Sequence, residues 1–480
     1  MQNQEETNWE DDAFTDEDSE EEACSDESSS SDTEMTSVWE SLPDVCLRHV
    51  FRFLPDGARN KASLVCHHWH NVMRSPCLWR TRFFHFSGRL SKYKPSDYCS
   101  AVGYVSSLGV YLEKLEVCVC PPRTSATAQR LKEAICGLLN ELVRVKAPLQ
   151  SFSLVRLEMD RSSWASVHRN SVVDSLIYLL ESGATKLTNV CLNGLKNDLQ
   201  QGLKLLSALL QYQKYLPPHC YILSLDLRGF FSTTVPVHLN PNMPQILEQL
   251  QGLTNLGLSY SCLSDELLIA LQQRHGGGRW NSGRDGSILR TFSLHCTRNE
   301  PHQQLVHGGS WASLAKRCPD LNVNLTVEQV INTEWLSRIL LPGIPLREYN
   351  MTAFYSPDEN WSTKPLFCDL LPLYRHSLQY LTLDLSNCRE SLDDELLELV
   401  QVCERLVDLR LWAFLEIFTV GRLLHFRLTK TMLLNKIKLR IYSMNDNLEE
   451  QEDQLEEVLS PYLDLFPPEL EFFAAVCPFI

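Results

Sequence analysis

From about residue 112 onward, short runs with apolar residues at alternating positions each lead into a stretch with helical spacing. Eleven such runs begin at Leu112, Leu149, Leu187, Ile222, Leu253, Leu289, Leu321, Leu346, Leu378, Leu406 and Lys436, spaced 25 to 38 residues apart. Within a run such as Leu187 to Leu192, the residues Leu187, Val190 and Leu192 point to the interior and their neighbours point out. A repeated strand-then-helix order predicts an α/β fold with a parallel sheet, because parallel strands need crossover connections. Two repeats enter their helices through related phrases, Cys262-Leu263-Ser264-Asp265-Glu266-Leu267-Leu268 and Ser391-Leu392-Asp393-Asp394-Glu395-Leu396-Leu397. Their Ser and Asp residues are expected to cap the helices, and the acids suit the positive end of the dipole. Glu469 to Val476 reads as a last, capping strand.

Residues 37–82 follow a different pattern. Cys46, Val50, Phe53 and Leu54 recur at helical spacing, with Leu47 and Phe51 beside them, so this helix is apolar over most of its circumference. Pro43 suits its first turn and Pro55 its end. Ala62, Val65, Cys66, Trp69, Val72 and Met73 form the next apolar stripe, and Ser75-Pro76 opens a further turn carrying Leu78 and Trp79. About forty residues of helix cannot bury that much apolar surface alone. A partner, the following domain or both must cover it. Residues 83–111 carry Phe83, Phe84, Phe86, Tyr93, Tyr98 and Tyr104. They are too aromatic for a flexible linker and are expected to couple the helical part to residues 112–480.

Charge changes the picture at one end. The 480 residues carry a formal net charge of −16. Residues 1–35 hold fifteen Asp and Glu and no Lys or Arg, so the remainder has 60 − 15 = 45 acids against 44 bases. Residues 1–36 therefore read as a disordered acidic tail on a nearly neutral globule. Ser19, Ser29 and Ser31 each have an acid three residues on and are candidate phosphorylation sites. The acidic balance argues against nucleic-acid binding. No apolar run is long enough for a membrane span, and no secretory leader is seen. Seventeen cysteines at scattered spacings suit reduced thiols in the cytoplasm or nucleus.

Catalytic and metal motifs are absent or incomplete. His275-Gly276-Gly277-Gly278 has no accompanying nucleophile elbow, and the glycine-rich stretch from Gly276 to Gly286 reads as a flexible insertion. Cys118-Val119-Cys120 lacks the spacing of a zinc knuckle. No phosphate-binding glycine loop or H-E-x-x-H motif occurs. No cofactor and no metal are expected.

Leu42-Pro43, Val65-Cys66-His67-His68-Trp69 and Leu78-Trp79 resemble the F-box, and the runs behind them resemble a divergent leucine-rich-repeat array. The implied fold is a small helical F-box followed by a leucine-rich-repeat-like solenoid with a parallel sheet. The family resemblance implies a non-catalytic adaptor that docks on the Skp-type adaptor and cullin scaffold of a ubiquitin ligase and presents a protein substrate. The residues it assigns to adaptor docking or to holding the F-box together are Leu42, Pro43, Val50, Phe51, Leu54, Val65, Cys66, Trp69, Leu78 and Trp79. Phe86-Ser87-Gly88-Arg89, Ser264-Asp265-Glu266-Leu267-Leu268 and Leu411-Trp412-Ala413-Phe414-Leu415 are similar to F-box-only proteins of the 39 type.

Strand alternation turns Ser224, Asp226, Arg228, Ser293, His295, Thr382 and Asp384 outward. In the last two repeats it turns out Arg410 and Trp412, then Lys438, Arg440 and Tyr442. Aromatic and arginine side chains together on an open sheet suit a binding hot spot, so these five are the candidate substrate-binding residues. Their basic character makes them a possible seat for the acidic tail in cis.

Overall fold

The computed structural model describes residue 39 and residues 42–54, 56–86, 97–183, 185–217, 220–273, 289–298, 304–329, 332–353, 362–429, 433–444 and 448–479. The acidic tail with Ser19, Ser29 and Ser31, and the glycine-rich stretch after His275, lie outside the described residues. The chain divides after Leu78 into a small helical unit and a larger sheet unit.

The helical unit contains α1 (Asp44–Arg52), α2 (Asp56–Ala62) and α3 (His67–Met73), followed by a 3-10 turn at Pro76–Leu78. Pro43 sits at the cap position of α1, one residue ahead of the expected first turn. The expected unbroken stripe from Ala62 to Met73 is interrupted. Cys66 adopts extended backbone with φ of −156°, and its Sγ accepts the Trp69 N–H at 3.4 Å. The thiol thus caps α3, and Val65 falls in an exposed turn instead of on a buried helical face. Leu47, Phe51, Val72, Met73 and Leu78 form the buried interior, with the Phe51 and Trp69 rings edge-on at 5.1 Å.

In the sheet unit the strands are β1 (Thr81–Phe86), β2 (Lys114–Val119), β3 (Ser151–Val155), β4 (Asn189–Cys191), β5 (Ser224–Leu227), β6 (Asn255–Ser259), β7 (Thr291–Thr297), β8 (Asn322–Glu328), β9 (Leu346–Ala353), β10 (Tyr380–Leu385), β11 (Asp408–Ala413), β12 (Lys436–Ser443) and β13 (Glu471–Pro478). The helices are α4 (Asp97–Leu108), α5 (Ser125–Arg144), α6 (Ser166–Glu181), α7 (Leu199–Lys214), α8 (Asn242–Gln249), α9 (Asp265–Gln273), α10 (Gly308–Arg317), α11 (Thr333–Ile339), α12 (Asp393–Val402), α13 (Ile417–Thr429) and α14 (Leu448–Leu459). All 13 strands form one sheet in chain order, each parallel to the next. This is the solenoid with a parallel sheet that the repeats predict. The segment between residues 83 and 111 supplies most of β1 and all of α4.

Alternation is clearest in β3, β7, β8 and β10. In β7, Phe292, Leu294 and Cys296 are buried, while Thr291, Ser293, His295 and Thr297 reach the open face. The buried set packs under the crossover helices, as where Phe292 meets Trp311 of α10 at 5.7 Å. Full burial of a side chain of this size contributes about 1.5–3 kcal/mol. Buried asparagines tie the ends of neighbouring repeats. Asn387 Nδ2 donates to Phe414 O at 2.9 Å, and its Oδ1 accepts the Phe414 N–H at 2.8 Å. Asn197 Nδ2 donates to Phe230 O at 2.9 Å. Successive turns also stack closely. Gly194 has φ of +69°, and a Cβ there would stand 3.2 Å from the Arg156 backbone. Gly229, with φ of +61°, repeats the arrangement 3.2 Å from Gly194 Cα. Both the dihedral and the close approach require glycine.

Both expected caps engage their helices, in different ways: at the second, Ser391 Oγ accepts the Asp393 N–H at 3.4 Å. Ser264 Oγ accepts the Leu267 N–H at 3.2 Å at the start of α9. At α12 the cap position is Leu392, which offers no side-chain acceptor. Asp393 reaches forward and accepts the Glu416 N–H at 2.9 Å.

Candidate functional site

Two surfaces carry the residues that the sequence singles out. The first lies on the helical unit. Arg59 organises it, although no sequence pattern draws attention to that residue. Its guanidinium donates to Phe51 O at 3.0 Å, Arg52 O at 3.0 Å and Leu78 O at 2.8 Å. The first two are carbonyls at the C-terminal end of α1, where orphan acceptors and the negative dipole end favour a cation. One side chain thereby ties the end of α1 to the 3-10 turn. Trp69 Nε1 donates to Trp39 O and His68 Nε2 lies 3.3 Å from Leu42 O, which fixes the segment leading into α1.

This scaffold sorts the ten candidate docking residues. Phe51 and Leu78 are buried within the helical unit, and Trp79, the first residue of the sheet unit, is buried with its ring 6.1 Å from that of Tyr104; a side chain without exposed surface offers a partner nothing to touch. Leu42, Leu54, Cys66 and Trp69 are half-buried, and Pro43, Val50 and Val65 are exposed. Three further apolar residues outside that set are more exposed still. Val45 is 68% exposed, Phe53 77% and Leu64 83%. Val45 lies in the first turn of α1, and Phe53 is the cap residue at its end. Their exposure arises because the helical unit is too small to enclose every apolar side of α1. Helical spacing alone does not say which side faces in.

The second surface is the open face of β10 to β13. Register pairs Arg410 with Lys438, and Trp412 with Asp384 on one side and Arg440 on the other. All five candidate substrate residues therefore stand on two adjacent strands. Their charges are largely answered from within. Arg410 forms a two-point pair with Asp408, at 3.1 and 2.8 Å. Glu471 receives Lys436 at 2.5 Å and Lys438 at 2.9 Å. These lysines, Lys436 first, hold the Glu471 carboxyl well below the ordinary glutamate range, at about 2. Tyr442 donates to Asp384 at 2.8 Å. Burial pushes the Asp384 carboxyl up, opposed by that hydrogen bond and by Arg440. Arg440 is exposed, its guanidinium 5.8 Å from the Trp412 ring centre. The acidic tail lies outside the described residues.

Elsewhere on the open face the chemistry is quieter. Asp226 holds Arg228 through two hydrogen bonds at 3.0 and 2.7 Å, and His295 meets Glu328 at 3.1 Å. Among the described residues, no group of three or more His, Cys, Asp or Glu could hold a metal ion, and no helix is long and apolar enough to cross a membrane.

Residues 39–85 match the F-box-like family. The chain is 26% identical over 289 residues to F-box/LRR-repeat protein 21 of Ovis aries, covering 59% of this chain and 58% of that protein. The Bos taurus protein of the same name is also 26% identical, over 288 residues. The match thus spans little more than half the length of these relatives. A chain in a crystal structure of the yeast Rad7 and Elc1 complex is similar with a TM-score of 0.33 and 13% identity, covering 78% of this chain and 89% of that one. The protein carries an F-box-like domain and is homologous to F-box/LRR-repeat protein 21.

Proposed function

We propose that this chain is the substrate-recognition subunit of a Skp–cullin–F-box ubiquitin ligase. The helical unit docks on the Skp-type adaptor, which links it to the cullin, and the open sheet face holds a protein substrate. The chain recruits and orients, and does not form a covalent intermediate with ubiquitin. Within the F-box proteins it fits the F-box-only branch of the 39 type, working in the cytoplasm or nucleus. The carrying observation is the exposed apolar set Val45, Val50, Phe53, Leu64 and Val65 on a unit that matches the F-box-like family. An apolar patch of this kind on a small unit marks a protein interface. Leu42, Pro43, Leu54, Cys66 and Trp69 complete the docking face, with Phe51 and Leu78 supporting it from inside.

Co-purification with the adaptor and cullin tests this reading. A Phe53→Ser, Val65→Asp double variant should keep its helical signal and lose the adaptor. A folded variant that still captures the adaptor like wild type removes the docking claim. Reconstituted ubiquitination of a captured partner then tests the ligase role. Capture without ubiquitin transfer makes the protein a scaffold.

A further inference from the structure

The chemistry left free on the last strands narrows the class of substrate, an inference that rests on the recognition role given above. Outward-facing titratable groups on β10 to β13 include the carboxylates Asp384, Asp408 and Glu471 and the cations Arg410, Lys436, Lys438 and Arg440. Asp408 holds Arg410, and Glu471 holds both lysines. Asp384 is engaged by the Tyr442 hydroxyl. Four cations face three carboxylates, so this part of the face has one positive charge in excess. The excess falls on the lysine pair at Glu471, while Arg440 acts on Asp384 without a direct ion pair among the described residues and keeps its guanidinium exposed.

Lys438 and Tyr442 flank Arg440 on the same face of its own strand, and Trp412 and Ala475 are its register partners. Its guanidinium lies over the Trp412 ring, an arrangement that leaves the planar fork of N–H donors available to an anion. Ala475, its register partner on β13, is too short to cover it. Two residues earlier on the same strand, Phe473 is half-exposed on the same face. The cation therefore stands between a half-buried ring, Trp412, and an exposed one, Phe473, the latter within the diagonal reach of side chains on neighbouring strands.

We propose that Trp412, Arg440 and Phe473 receive a short extended protein segment in which an anionic group lies within two residues of an aromatic or branched apolar side chain. The anion, carboxylate or phosphate, bonds Arg440, and the apolar side chain lies against Trp412 or Phe473. A free inorganic anion would meet a single guanidinium and gain nothing from the two rings. A nucleic acid needs several cations for its phosphates, and here one is in excess.

The test selects a phage-displayed random heptapeptide library on the full-length protein. Enriched peptides are then synthesised with the acid intact, as its amide, and as phosphoserine, and titrated by fluorescence anisotropy. Enrichment of Asp or Glu within two residues of Phe, Trp, Leu or Ile is expected. Amidation of the acid and the Arg440→Gln change should each weaken binding about 10- to 100-fold, the range for a hydrogen bond to a charged group. Trp412→Ala should weaken it as well, and Trp412→Phe should largely restore it. Tighter binding of phosphoserine identifies phosphate as the source of the anion; weaker binding identifies carboxylate. Absence of enrichment, enrichment without an acid, or indifference to Arg440→Gln overturns the proposal. Arg440 is exposed, so that variant stays informative even if Trp412→Ala fails to fold. Adaptor capture by the same preparations separates the two claims. Loss of the adaptor with intact peptide binding sinks the ligase reading alone, and the converse sinks only the peptide site.

Discussion

Leu64 of the helical unit is 83% exposed, whereas Leu383 of β10 is 0% exposed. The same contrast runs through both units. Val45, Phe53 and Val65 stand in solvent on the helical unit, while Val190, Phe292 and Val323 are buried in the sheet unit. The sheet unit can bury its apolar residues because each repeat lies against the next and a helix covers each crossover. The helical unit has three short helices and one 3-10 turn, which can enclose only one side of α1. Equal hydrophobicity in sequence thus has two meanings. In the repeats it is a core, and in the short unit part of it stays exposed. Removing an apolar side chain should affect folding in one unit and association in the other.

The largest expected effect lies in the sheet. Phe292→Ala removes a fully buried ring that packs on Trp311, and thermal or denaturant unfolding should show a loss of about 3–5 kcal/mol. A loss under 1 kcal/mol would mean that the sheet core is not packed as described. Next comes Asn387→Ala, which leaves the partly buried Phe414 amide without its acceptor. That variant should lose about 1–3 kcal/mol, with hydrogen exchange rising first around β10 and β11. The contrasting arm is Leu64→Ser, which should change stability by at most about 0.5 kcal/mol. Its effect should appear in adaptor capture instead. If Leu64→Ser destabilises the fold as much as Phe292→Ala does, the distinction between core and contact surface fails.

The smallest effect concerns a surface pair. The Glu471 carboxyl titrates near 2 because Lys436 and Lys438 hold its charged form. A folded-state value below the unfolded one stabilises above the ordinary glutamate range and loses that contribution as pH falls toward 2. A carbon-13 NMR titration should place the Glu471 midpoint low, and a Lys436→Met, Lys438→Met variant should move it upward. A midpoint unmoved by the lysine changes would remove the pairing as its cause.

Much of the sheet was legible in the sequence. The eleven alternating runs are followed by β2 to β12, and β13 falls where a capping strand was expected. β1 was missed because Thr81 to Phe86 lacks the leading leucine of the other repeats. Its inward Phe84 and Phe86 read as a generic aromatic stretch instead. The helical unit was legible as apolar helices but not as an inside and an outside. That division depends on Cys66 ending one helical register and on Arg59 drawing three carbonyls together. On the open face, alternation correctly turned out Arg410, Trp412, Lys438, Arg440 and Tyr442. Asp408 was findable as the partner of Arg410, since it lies two residues earlier on the same side. Glu471 was not findable for the lysines, because the register of β13 against β12 is set by the intervening helix and turn.

The strict chain order of the sheet has a mechanical consequence. Every strand hydrogen-bonds to the strands nearest it in sequence, so no long-range pairing locks the array as a whole. Tension drawing β13 away from the face of β12 would load one strand pair at a time, as in unzipping. Each release would free one repeat's length of chain and pass the load to the next pair. The buried asparagines and stacked glycine turns would then act as separate latches along the path. A machine that unfolds this protein from its last strand would meet a staircase of small resistances instead of one large barrier.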